Sequence, residues 1–171
     1  MSSPLMPPDS AQLVTTLARD WAVQVDTGKS GTPKWEFVNG LSKVGPTTDL
    51  TQQDDGDIHS GGYKSQLATA IGANVEIEGL RKGTLAGEDL TPDPGQEFLR
   101  AKGRQIGYSN IAHIRYWRTD ALPDAMEGYF TVDWKDGTED KEGLQTFTCT
   151  LTGRGKPKEI AKPTAASGGG G

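Results

Sequence analysis

The chain has 171 residues, with 18 Lys and Arg against 23 Asp and Glu for a net charge of -5, 23 glycines and one cysteine. That length builds one domain around one core, the acidic balance excludes a general nucleic-acid-binding surface, and a lone thiol, Cys149, excludes an intrachain disulfide framework and suits a reducing cytoplasm. No apolar run is long enough to span a bilayer, and the opening MSSPLMPPDS has neither the basic nor the apolar region of a secretory signal.

Residues 1–20 read as an N-terminal arm. Within it, SAQLVTTLARD places Leu13, Val14, Leu17 and Ala18 at helical spacing behind a capping-type Ser10, which predicts a short helix over Ser10 to Asp20. DWAVQVDTG then alternates, with Trp21, Val23 and Val25 on one face and Ala22, Gln24 and Asp26 on the other. The turn residues GKSGTP and the alternating PKWEFVNG make the two runs a hairpin.

Leu41 to Gly72 follows without a convincing period, so residues 41–72 are expected to form a long connector loop, which needs a functional reason in a compact domain. Inside it, TQQDDGDIHSGGYKSQ packs carboxylates and an imidazole closely. An EF-hand opening at Asp55 puts Ser60 at the required glycine and a neutral Gln66 at the closing glutamate, so the calcium pattern fails. A zinc site lacks partners, since His59 and His113 are the chain's two histidines and lie far apart. The segment reads as a solvated acidic loop.

ANVEIEGLRKG resumes alternation, with Val75 and Ile77 opposite Asn74, Glu76 and Glu78. TPDPGQEFLRAKGRQIG predicts a helix from Pro94 with Asp93 as cap, Gln96 at capping-box spacing and Phe98, Leu99 and Ile106 as anchors. NIAHIRYWRTD, AMEGYFTVDWKDG and LQTFTCTLTG give three further strands, the last setting Phe147, Cys149 and Leu151 against four threonines. Strands without βαβ alternation predict a mainly β chain, an antiparallel sandwich or barrel with one flanking α-helix. DWKDGTEDKEG is acidic and GRGKPKEIAK basic, and residues 164–171 read as a flexible, glycine-rich tail.

Enzyme chemistry finds no pattern. Gly28-Lys29-Ser30 lacks the first P-loop glycine, because Val23 stands there. Cys149 and His113 each sit in an alternating strand with no supporting motif, and no spacing selects two carboxylates. Tyr116, Trp117 and Arg118 offer a stacking surface or else strand packing. The chain is therefore not expected to be an enzyme, and no cofactor or metal is expected.

The order of segments, WAVQVDTG, the tryptophan strand ending VNG, QDDGDIHSGGYKS, DPGQEFLRAKGRQIG, RYWRTDALPDAMEGYFTVDW and FTCTLTGRGKP, resembles the major tail tube proteins of long-tailed, non-contractile (siphovirus-type) phages, especially those of actinobacterial hosts. The similarity covers Asp20 to Pro163, and QVDTG followed by QDDGDIHSGGYKS is its most specific portion. AIGANVEIEG departs from the pattern, with Gly72 and Ala73 in place of a bulky aromatic. The resemblance implies a tail-tube sandwich domain over 21–163 that assembles into hexameric rings, stacked as a tube enclosing a channel for DNA passage into the host. It also implies a structural virion protein of the tail, assembled in the host cytoplasm, with a tape-measure protein and tail assembly chaperones as partners, no membrane insertion and no specific hold on DNA. No C-terminal immunoglobulin-like domain is expected.

Within that frame, Asp54, Asp55, Asp57, His59, Tyr63, Arg154, Lys156 and Lys158 are the expected inter-ring contacts, and Glu76 and Glu78 the expected channel lining. The alternative is a monomeric β-sandwich binding module, a calcium-assisted carbohydrate or receptor binder using Asp54, Asp55 and Asp57.

Overall fold

The computed structural model describes residues 3–7, 9–137 and 140–165. Its strands are β1 (Trp21–Asp26), β2 (Trp35–Phe37), β3 (Leu41–Asp54), β4 (Gln66–Leu80), β5 (Gly83–Ala86), β6 (Asp89–Pro92), β7 (Ile111–Arg118), β8 (Ala125–Asp136), β9 (Thr146–Gly153) and β10 (Lys158–Glu159), with the helix α1 (Pro94–Lys102) between β6 and β7. The main sheet runs β2-β1-β7-β8-β9-β4-β3, with β10 added to β8, and β5 and β6 form a separate ribbon. Every pair is antiparallel.

The register explains the core. Val25 stands opposite Ile114, Ala112 opposite Phe130, Val132 opposite Leu151, and Cys149 opposite Ile77. Cross-strand partners share a face, so one apolar face runs unbroken from β1 to β4. Val25, Val75, Ile77, Ile114, Phe130, Cys149 and Leu151 are all fully buried in a single cluster. A sheet that buries one face within itself must curl, and the strands close into two layers of a sandwich.

The helix plugs one end of that sandwich. Asp93 caps it by accepting from the Gln96 amide at 3.0 Å, as the sequence predicts. The Gln96 side chain does not reach back to complete a capping box. It is fully buried, accepts from Lys82 N at 3.1 Å and donates to Asn39 O at 2.6 Å and Leu80 O at 2.9 Å. It thereby ties the helix to the ends of β3 and β4. Gly95 has to be glycine, because a Cβ there would lie 2.2 Å from Phe37 O. Leu99 is an anchor, fully buried, whereas Ile106 is 90% exposed because the chain has already left the helix at Gly103.

Two expectations fail for physical reasons. Ser10 to Asp20 is not a helix: a single 3-10 turn at Ser10–Gln12, capped by Asp9, is followed by chain without regular structure, and Leu13, Val14 and Leu17 stay exposed. So short a helix is not stable without a surface to pack on. Residues 41–72 are not a structureless loop either. They form β3 and the first half of β4, a hairpin that pairs Asp54 with Gln66 at its far end. The β5–β6 ribbon was not foreseen in GTLAGEDLTP. Residues 164 and 165 are exposed, and the rest of the expected glycine-rich tail lies outside the described residues.

Replacing Gln96 with Ala should cost about 1–3 kcal/mol, because it strands one donor and two acceptors that are part-buried under the helix. Urea unfolding of the Gln96→Ala subunit measures this, and a loss below about 0.5 kcal/mol would show that the three hydrogen bonds do not hold the helix in place.

Candidate functional site: the polar face and the projecting arm

The other face of the same sheet is polar, and its β8-β9-β4-β3 half carries the expected channel residues. Glu78 stands opposite Thr148, Glu76 opposite Thr150, and Asn74 opposite Thr152, with Asp133 across from Thr150 on the far side of β9. Glu76 and Glu78 therefore share a wall with a ladder of threonines. Lys43, on the edge strand β3, holds both carboxylates, with Nζ 2.8 Å from Glu76 Oε1 and 3.3 Å from Glu78 Oε1. Those hydrogen bonds hold the Glu76 carboxyl below the usual carboxylate range and push the Lys43 ammonium above its ordinary value. Lys135 lies 3.5 Å from Asp133.

Past the last β4–β9 pair, Asn74 with Thr152, strands β3 and β4 continue alone. The hairpin outruns the sheet by eight β4 residues, 66–73, about 26 Å at a rise of about 3.3 Å per residue. This projecting arm buries little. Leu50, Leu67 and Ile71 are 54%, 59% and 72% exposed. At its tip, Asp54 accepts from the Gly56 amide at 2.8 Å, Asp57 accepts from the His59 amide at 2.9 Å, and the Asp57 amide donates to Ser60 Oγ at 2.9 Å. Two of the three aspartates in that stretch therefore build turns. Among the described residues no group of three or more ligating side chains is placed to hold a metal. Asp55, His59 and Tyr63 are exposed.

The basic run does not meet the tip. Arg154 follows β9 at the root of the arm, where a Cβ on Gly153 would touch Ala73 O, and its guanidinium lies 5.2 Å from the Tyr108 ring. Lys158 pairs with Glu127 in β10. Among the described residues no ion pair links the tip to the basic run.

The β2-β1-β7 half of the polar face carries a cluster that the sequence reading did not find. Arg115 donates from Nε to Gln24 Oε1 at 2.7 Å and lies 4.2 Å from the Trp35 ring centroid, and its burial lowers the guanidinium pKa. His113 stacks on Tyr129 at 4.5 Å, with Nε2 2.9 Å from Glu127 Oε1. The signal was alternation: Ile111, His113, Arg115 and Trp117 share a face. Alternation also separates His113 from Cys149, which is buried on the core face with its thiol pushed up to about 12 by burial. No nucleophile–base pair forms there. Tyr116 and Trp117 are buried, and Arg118 is held by Asp120, so these three make no open stacking surface.

No family model and no curated protein matches the chain. Solved structures do. A subunit in the virion of a native gene transfer agent particle is similar with TM-score 0.64 at 13% identity, over 86% of this chain and 100% of that one. The SPP1 tail tube, from solid-state NMR and cryo-EM, is similar with TM-score 0.59 at 12% identity, over 86% of this chain and 81% of that one. A chain of the anti-feeding prophage baseplate, 6-fold symmetrised, is similar with TM-score 0.54 at 12% identity, over 88% and 98%. At these identities the likeness is one of fold: this mainly antiparallel sandwich with one helix is the fold of tail tube proteins.

The Lys43 clamp sets two pH limits. Glu76, whose pKa is depressed, contributes stability that is present above its unfolded value near 4.5 and is lost as pH falls through the folded value. Lys43, whose pKa is raised, contributes stability that is present below 10.5 and is lost as pH rises through its folded value. Carboxyl NMR titration of Lys43→Met should return Glu76 toward 4.5; an unchanged Glu76 midpoint would remove the clamp. The native Cys149 thiol should be unreactive toward a disulfide reagent at pH 8 and react fully once the chain is unfolded.

Proposed function

We propose that this chain is the major tail tube subunit of a long-tailed, phage-like particle, a structural protein that forms hexameric rings stacked into a DNA-conducting tube. The observation that supports it is the tail-tube fold on a subunit whose arm projects without a partner of its own. Ring neighbours can cover both the arm and the open edges of β2 and β3, and closing a ring removes sheet edges that otherwise invite stray pairing.

In this reading residues 21–163 form the tube domain, and Glu76 and Glu78, set among threonines, face the channel. A wall whose lysine is already paired to carboxylates offers passing phosphates few contacts and slows DNA little. Asp54, Asp55, Asp57, His59 and Tyr63 at the arm tip, with Arg154, Lys156 and Lys158 at its root, lie on the pole that meets the next ring. Their positions support contacts across rings, and pairing between tip and basic run requires subunits side by side. A tape-measure protein and assembly chaperones complete the partner set, in a virion tail that ejects DNA into a host.

Electron microscopy of the purified protein across a concentration series is the test. Rings and hollow tubes are expected; a strictly monomeric protein at every concentration contradicts the proposal. Deleting Gln52 to Gly62 and closing the gap with a short glycine-serine linker should leave a folded subunit, by circular dichroism, that forms no tubes. Normal tube growth by that variant would show that the arm tip is not a ring connector.

A further inference from the structure

The two ends of the sandwich are unlike. At one, α1 closes the core. At the other the core is open, and a cavity of about 630 Å³ is walled by Trp21, Tyr116, Met126, Pro46, Ile71 and Pro157. That volume falls in the range of about 300–1,000 Å³ of clefts that receive a ligand. The wall is mostly apolar, and Ile71, 72% exposed, extends the apolar face from Val75 and Ala73 outward.

The helix end carries a matching projection. The β5–β6 ribbon leaves at Gly83, opposite Pro92, beside the helix cap Asp93, and all its residues are exposed. Leu85 and Leu90 are direct cross-strand partners, each 67% exposed. Paired leucines on one face of an isolated ribbon form a knob with nothing under it.

We propose that the Leu85–Leu90 knob of one subunit seats in the open core mouth of a second copy of this chain. The inference rests on the tube reading and gives it an axial contact. Charge supports this occupant: the ribbon's turn presents Glu88 and Asp89, which have no ion-pair partner among the described residues, while Lys156 lines the mouth and the lining carboxylate, Asp124, lies in the field of the Arg118 guanidinium. Position supports it as well. Along β4 the mouth at Ala73 and the helix end at Leu80 are seven residues apart, about 23 Å. A knob and a socket on opposite poles of one chain make a heterologous contact, which repeats by translation into an open stack and does not close into a dimer. The N-terminal Leu13 and Val14 are also exposed and apolar, but that segment emerges beside the mouth, at Trp21, and not at the helix end.

Two measurements test it. The Leu85→Ser/Leu90→Ser subunit changes only exposed side chains, so it should fold normally and still form single rings, while its threshold concentration for tubes rises about tenfold or more. A Leu85→Cys/Thr48→Cys subunit, with Thr48 on the socket wall, should give a ladder of cross-linked chains on mild oxidation, which neither single variant gives. Tubes from the double serine variant at the wild-type threshold would overturn the contact. So would a ladder from Leu13→Cys/Thr48→Cys in its place. If the wild type forms no tubes, the tube reading fails by itself; a ladder would then still support the knob and socket, and its absence would remove them too.

Discussion

One apolar face, continuous across β1, β7, β8, β9 and β4, has to be shut away from water, and the rest of the molecule follows from how that is done. Each buried Val, Ile, Leu or Phe contributes about 1.5–3 kcal/mol on leaving water, and the ladder places Val25, Ile114, Phe130, Leu151 and Ile77 in register. Curling encloses them and turns the opposite face into an outer wall. It also leaves two ends. Among the described residues, α1 plugs one of them, through Leu99 and the three hydrogen bonds of Gln96.

The arm obeys a different balance. Beyond Asn74 the hairpin keeps its backbone ladder but has no third strand and no covered face. A two-stranded ribbon is marginal in water, so this region belongs to the low-stability part of the chain. Leu50 and Ile71 face each other on the side that continues the core, as an apolar row waiting for cover. In the proposed tube the stability of the fold and the stability of the assembly would be linked quantities.

This contrast explains what could be read in the sequence. Strands with one face in the core show period 2, and Val23–Val25, Val75–Ile77 and Phe147–Cys149–Leu151 were legible on that ground. The helix was legible from its cap, since Asp93 and Pro94 act locally. The arm was not, because strands that bury neither face are under no pressure to alternate, and TTDLTQQDD reads as loop. The helical spacing of Leu13, Val14 and Leu17 misled for the related reason that a period predicts structure only where a surface receives it. Alternation puts Glu76 and Glu78 on the polar face, but their clamp by Lys43 depends on the pairing of β3 with β4. The core mouth was illegible, since Trp21, Pro46, Tyr116 and Pro157 meet only after the sheet has curled.

The chemistry of the polar wall connects these points. Across β3, β4, β9 and β8 it presents Asp49, Glu76, Glu78 and Asp133 against Lys43 and Lys135. Both lysines are engaged by carboxylates on the same wall, and the Asp49 carboxylate accepts from the Asn74 amide. Threonine fills the remaining positions of β9, a residue that keeps β propensity without adding charge. Pairing its cations internally lets such a wall stay well hydrated and weakly acidic without the strong repulsion that a dense ring of bare carboxylates would place between neighbouring subunits. The same edge lysine fastens β3 to β4 within the sheet, opposite Glu78, whereas the Asn74–Asp49 hydrogen bond joins the two strands where the arm begins. One polar wall therefore carries two separate contacts, the Lys43 clamp that neutralises its carboxylates and the Asn74–Asp49 hydrogen bond at the root of the arm, so the charge of the wall and the footing of the arm can be varied independently.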